Sequence, residues 1–96
     1  MKHNFKKLEI WIRSRNFVKE IYMVTQSFPK EEIFGLTCQL RRSAVAIPSN
    51  IAEGCGRSSN PQLVHFLDIA IGSSCETETQ LYLSFDLGDI NELEMK

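Results

Sequence analysis

An all-α chain is the fold class this sequence predicts, and three observations carry it. Apolar residues recur at spacings of three and four along most of the length. Two of the three prolines and the glycine pair of "GCG" fall between the periodic stretches and punctuate them. No strand is evident anywhere. Together they predict one domain of 96 residues with three long helices and a short fourth, and a domain of that size has little core to spare.

The first helix is expected over about residues 4–27. Leu8, Ile12, Val18, Tyr22 and Thr25 follow one stripe, and Ile10, Phe17, Ile21, Val24 and Phe28 follow another. The two stripes make a broad apolar face, with Lys6, Lys7, Glu9, Arg13, Lys19 and Glu20 left for water. In "SFPKEE", Pro29 stops this helix, and Glu31 and Glu32 suit the positive end of the next. That second helix is expected over 30–53, where Ile33, Thr37, Leu40, Ala44, Ile47 and Ile51 keep a 4-3-4-3-4 rhythm, a seam for helix packing. Gly54 or Gly56 is placed to take a left-handed C-cap. Asn60 reads as the N-cap and Pro61 as the first residue of a third helix over 60–87, whose seam runs Leu63, Leu67, Ala70, Ser74, Thr77, Leu81, Ser84. Half of it is small or polar, so two backbones can come close provided the hydroxyls find partners. Gly88 then reads as a C-cap and Asp89 as the N-cap of a stub over 89–96, too short to be stable alone.

Net charge is −1, but it is unevenly spread. Residues 1–30 hold seven Lys/Arg against two Asp/Glu, whereas residues 61–96 hold one against seven. A basic first helix can attract nucleic acid; it can equally be a solvated face or complement an acidic neighbour, and no basic block with interleaved aromatics appears in the linear sequence. No stretch approaches the roughly 18 apolar residues of a membrane helix. The charged N-terminus does not read as a secretory signal, so the chain is expected in the cytoplasm. Cys38, Cys55 and Cys75 are odd in number and form no CxxC, which fits reduced thiols that pack as small hydrophobes.

The stretch "QLRRSAVAIPSNIAEG" interrupts the pattern, because Pro48 sits inside the second helix, clashes with the carbonyl of Ala44 and is expected to kink it. Ser49 and Asn50 can bond the loosened backbone, and Glu53 can pair with Arg41, Arg42 or Arg57. From Phe28 to Leu81 the chain resembles the four-helix bundle family of 23S rRNA intervening-sequence proteins. The likeness rests on a connected series: FP then E, FGLT, Q-x-RR, IPSNIAEG with GR close behind, F-x-x-x-A-x-GS, and E-x-E-x-Q-L, which contains Glu76 and Glu78. The opening F-K-K-L-x-x-W, Phe5 to Trp11, fits as well. The resemblance implies an antiparallel up-and-down four-helix bundle, here with three long helices plus a truncated fourth, assembled as a homopentamer. It also makes Arg41, Arg42, Pro48, Asn50, Glu53, Arg57, Glu76 and Glu78 a structural motif. The sequence departs from the family where Ser74 and Thr77 replace apolar residues, where Cys55 replaces an aromatic, and after Lys96, where the family continues through a full fourth helix. Either the chain is cut short or another subunit fills that groove.

No enzyme is expected. The serines have no base paired with them in any motif, no phosphate loop follows a strand, and Gln62 stands three before His65 where a di-iron bundle needs Glu. No metal, cofactor or small-molecule substrate is expected, and His65 reads as a surface or interface residue. A related fold serves as an accessory subunit of reverse transcriptases, which by analogy suggests RNA or an RNA-binding protein as partner of a homo-oligomer. The candidate phosphate contacts are Lys6, Lys7, Arg13, Arg15 and Lys19, with Arg41, Arg42 and Arg57 as further candidates whose expected role is structural. The alternative is a self-associating protein-interaction scaffold without a nucleic-acid role.

Overall fold

The computed structural model describes residues 4–91. Among them the chain forms three helices, α1 (Glu9–Thr25), α2 (Leu36–Cys55) and α3 (Asn60–Asp86), with 3-10 turns at Phe5–Lys7 and Lys30–Glu32 and no strand. The all-α expectation holds, while the ends of the elements differ from it in instructive ways.

Helix α1 begins at Glu9 rather than at Asn4, because Leu8 is extended (φ −72°, ψ 128°) and separates it from the first turn. Asn4 Oδ1 accepts the Lys6 N–H at 3.3 Å, closing that turn. The break lets Phe5 and Leu8 fold under the helix beside Trp11, whose ring meets that of Phe5 edge-on at 5.1 Å. Helix α2 likewise begins at Leu36, six residues later than expected, since Gly35 (φ −107°, ψ −117°) leaves helical geometry. Glu32 Oε1 accepts the Leu36 N–H at 3.4 Å, so the acidic residue does meet the helix start. A Cβ on Gly35 would lie 2.7 Å from that oxygen, so a side chain here would make the Glu32 carboxylate shift.

Pro48 does not interrupt α2, which runs unbroken from Leu36 to Cys55. Asn50 Nδ2 donates to the Ala46 carbonyl at 2.7 Å, one turn back. Its end differs from expectation, for Gly56 stays right-handed (φ −86°, ψ −5°) and Gly54 is buried inside the helix. Ser59, not Asn60, caps α3, accepting the Gln62 N–H on its Oγ at 3.4 Å; Pro61 then stands within the first turn, where its missing N–H costs nothing. The left-handed conformation falls at Gly88 (φ 81°). There the Gly88 N–H donates to the Phe85 carbonyl at 3.0 Å and the Asp89 N–H to the Ser84 carbonyl at 2.8 Å, the pair of bonds that terminates a helix. Asp89 is therefore part of the ending of α3 rather than the start of a fourth helix, and residues 89–91 are not helical. The rest of the expected stub, 92–96, lies outside the described residues.

The three helices run antiparallel in sequence order. Gly54 meets Leu63 and Phe66 near one end of the α2–α3 pair, whereas Ser43 meets Thr77 and Gln80 further along. Two apolar layers form the core. One gathers Ile21, Phe28, Leu36, Leu40, Ala44 and Ile90; the other gathers Ile51, Cys55 and Ala70 with Trp11, Leu63 and Leu67 packed on it. Ser43, Thr77 and Gln80 are buried with them. The Thr77 hydroxyl lies 2.7 Å from Ser43 Oγ, which donates to Gln80 Oε1 at 2.9 Å, so the polar seam of α3 is satisfied inside the bundle. Helix α2 sits between its neighbours, and no Cα of α1 comes within 8 Å of one in α3.

The apolar face expected for α1 needs correction. Ile10, Ile12 and Tyr22 are exposed, while Ser14 is buried and donates to the Trp11 carbonyl at 2.8 Å. A serine can face the core because its hydroxyl is satisfied by its own helix. Ile33 and Ser74 also leave their seams and face water. Among the described residues, no helix is long and apolar enough to cross a membrane.

Candidate nucleic-acid interface

The five expected phosphate contacts fall on two elements, the first 3-10 turn and α1. Lys6 and Lys7 lie exposed on the first 3-10 turn. Arg13 is tied to Glu9 at 2.8 Å, both side chains about three-quarters exposed, so its charge is locally offset. Arg15 and Lys19 are exposed and four residues apart, hence on one flank of α1, and Tyr22 continues that flank one turn on. The Arg15 guanidinium lies over the Trp11 ring at 5.1 Å.

Across from this flank, α2 contributes Arg41 and Arg42, with opposite roles. Arg41 Nε donates to Thr25 Oγ1 at 2.9 Å and its guanidinium stacks over the Tyr22 ring at 4.5 Å, bracketing α1 to α2. Arg42 is exposed. It stands on a ridge between two clefts: one of about 320 Å³ shared with Glu76, Gln39 and Gln80, and one of about 690 Å³ shared with Tyr22, Phe34, Thr37, Cys38 and Val45. The larger cleft is floored by apolar side chains, and the charged residues that line it, Arg41 and Arg42, are both cations.

Of the remaining motif residues, Glu53 and Arg57 fasten the bundle, whereas the side chains of Glu76 and Glu78 make no hydrogen bond or ion pair among the described residues. Glu53 Oε2 pairs with Arg57 at 3.0 Å, and the Arg57 guanidinium covers the Phe66 ring at 4.7 Å, fastening the turn between α2 and α3. Arg57 Nε is buried without an acceptor. Glu76 and Glu78 are exposed on α3; Glu78 borders a cleft of about 260 Å³ with Phe17, Ser74, Cys75 and Tyr82, between α3 and α1. An apolar cleft of about 360 Å³ continues it, lined by Ile10, Ile47, Leu67 and Ile71. His65 is exposed, its ring edge-on to Phe66 at 5.3 Å. Among the described residues, no three His, Cys, Asp or Glu side chains are grouped to hold a metal.

Among the described residues, two groups titrate away from their ordinary values. Burial pushes the Cys55 thiol up. The Asp89 carboxyl is also pushed up, first by burial and then by the facing carboxylates of Glu32 and Glu31. Neither lies on the basic flank.

Sequence reasoning missed the exposed ring of Phe34, which sits in the turn before α2, and placed Tyr22 in the core stripe. The FGLT motif was the available signal, since a phenylalanine beside a glycine break is poorly placed to join a helical face.

The family model described as 23S rRNA-intervening sequence protein matches residues 6–96. No curated protein matches the chain.

Proposed function

We propose that this chain, which belongs to the 23S rRNA-intervening sequence protein family by that match over residues 6–96, is a non-catalytic, self-associating helical-bundle subunit that binds RNA or a ribonucleoprotein in the cytoplasm. One observation supports the reading above others: Arg42 on α2 lines an apolar cleft and Lys19 on α1 is exposed one turn from its Tyr22 wall, with Arg15, held over Trp11, continuing charge of the same sign along α1. Lys6 and Lys7 add two exposed cations at the N-terminal end, and Arg13 adds least, being offset by Glu9.

Self-association is supported by the cleft between α1 and α3. Ile10 and Ile71 are 53% and 62% exposed along it, a pattern that favours a covering surface. A second copy of the chain, within the pentamer that the family resemblance implies, would cover it and repeat the cations by symmetry. Repetition raises effective concentration and strengthens contacts that are weak singly. The same cleft favours a second reading, a protein-interaction scaffold without a nucleic-acid role, in which acidic α3 meets a basic neighbour.

Salt dependence separates the two. Roughly three phosphate contacts to a single strand give a log–log slope of about −2, so raising salt from about 50 to about 200 mM lowers affinity about 20-fold. We expect that slope in anisotropy titrations of a labelled single-stranded RNA with the intact chain, with a defined oligomer by light scattering under both conditions. A clean oligomer that leaves the RNA free at low salt would select the scaffold.

A further inference from the structure

We propose that the cleft between α1 and α2 is a base-binding slot for single-stranded RNA, in which an unpaired base stacks on Phe34 while the flanking phosphates lie on Arg42 and on the Arg15–Lys19 flank. The inference rests on the RNA reading above and assigns it a place.

Phe34 carries the first part of the argument. Its side chain is 95% exposed, the most exposed large hydrophobic among the described residues. It is nevertheless not on a loose tail, because the turn that holds it is fixed on both sides. The Gly35 N–H donates to the Glu32 carbonyl at 3.0 Å, and Glu32 Oε1 takes the first N–H of α2. An aromatic ring presented to solvent from a hydrogen-bonded turn at the edge of a cleft is the kind of platform that single-strand binders use, with about 1–3 kcal/mol per stacked base.

Thr37 provides an independent observation. It is 7% exposed, lines the same cleft, and its Oγ1 has no hydrogen-bond partner. Elsewhere in this chain helical threonines turn back to their own helix: Thr25 to the Ile21 carbonyl, Thr77 to Ser73 and Thr79 to Cys75. Thr37 departs from that habit, and a buried hydroxyl without a partner is a polar group waiting for one. A Thr37 rotamer that turns this hydroxyl into the cleft would meet the polar edge of a base, which supplies both donors and acceptors.

Charge selects the class of occupant. Arg41 is engaged by Thr25 and Tyr22, which leaves Arg42 as the uncommitted cation of the cleft wall. Arg15 and Lys19, about 5–6 Å apart at their Cβ atoms by their spacing, extend positive charge along α1 away from the cleft. The occupant must therefore be flat and apolar at one point and anionic along a line. At about 690 Å³ the cleft falls in the roughly 300–1,000 Å³ range of small-ligand sites, enough for a base. A duplex cannot offer its bases to Phe34 without unpairing.

The test uses the intact chain and a labelled 12-nucleotide single-stranded RNA of mixed sequence at low salt (a length of about the 4–16 nucleotides that single-strand sites cover), with its duplex as control. Phe34→Ala should lower single-strand affinity about 10-fold with the salt slope unchanged and duplex binding untouched, while Arg42→Ala should reduce the slope by about 0.7. Both side chains are exposed, and circular dichroism checks that the fold is kept. Wild-type affinity retained by Phe34→Ala, with binding lost in Lys6→Ala/Lys7→Ala, overturns the slot and leaves the RNA reading standing. A wild-type chain that binds no RNA overturns both. Dissociation of the oligomer by Phe34→Ala, with RNA still bound, assigns the cleft to a protein contact and overturns the slot.

Discussion

Helix α2 is held differently on its two sides. Toward α3 the backbones press together: a Cβ on Gly54 would lie 2.9 Å from that of Phe66 and 3.2 Å from the Leu63 carbonyl oxygen, and Ser43, Thr77 and Gln80 exchange buried hydrogen bonds. Toward α1 the contact is made by larger side chains and by the bracket Thr25, Arg41, Tyr22, and the outer edge stays open as a cleft. The α2–α3 pair is thus the scaffold, and α1 is laid on it. Shape and chemistry gather on the looser side, where there is room for a ligand.

The tight side should break most easily. In an ordinary helix Gly→Ala is favourable by about 1 kcal/mol, but Gly54→Ala should destabilise by about 1–3 kcal/mol because Phe66 and the Leu63 backbone cannot both yield. Urea denaturation midpoints read the sign directly; a stabilised variant would show that the two helices are less tightly pressed than described. Next comes the bracket on the other side. Thr25→Val keeps the shape and removes the acceptor of Arg41, and should cost about 1 kcal/mol, since Arg41 is half-buried and can turn its Nε toward water. A loss matching that of Gly54→Ala would erase the distinction between the sides.

The smallest effect is expected at the end of α3. Asp89 protonates more readily in the folded chain than in the unfolded one, because it is half-buried beside Glu32 and Glu31. Its stabilising contribution is therefore fully present below the unfolded carboxylate value of about 3.9 and fades as pH rises through the raised folded value. Asp89→Asn should melt with the wild type at acid pH and above it near neutrality. Parallel melting curves across that range would remove Asp89 from the account.

Much of this architecture could be read from residues alone. The 4-3 seams of α2 and α3 survive packing because Leu40, Ala44, Ile51, Ala70, Thr77 and Ser84 do face the core. Pro29 and Gly88 mark real endings, and the family was legible in its spaced motifs. The errors cluster where a local hydrogen bond or a single glycine decides. Leu8 and Gly35 delay two helices by breaks that periodicity does not register, and Ser59 outcompetes Asn60 as cap. Tyr22 was misplaced because two stripes on one helix look alike until the neighbour's position is known. The candidate site was hidden for a related reason. Lys19 and Tyr22 lie on α1, Phe34 in a turn and Arg42 on α2, so their basic and aromatic characters interleave only in space.

The three cysteines sample three environments. Cys55 is sealed in the core, its thiol made less acidic by burial; Cys38 lines the cleft between α1 and α2; Cys75 lies exposed beside the α1–α3 cleft. Thiolate fraction and access set alkylation rates, so a single chain carries three internal clocks. Slowing of Cys38 reports occupancy of one cleft, slowing of Cys75 reports cover over the other, and modification of Cys55 reports opening of the bundle itself. The wild-type protein can therefore be followed by mass spectrometry through binding, assembly and unfolding without a label being added.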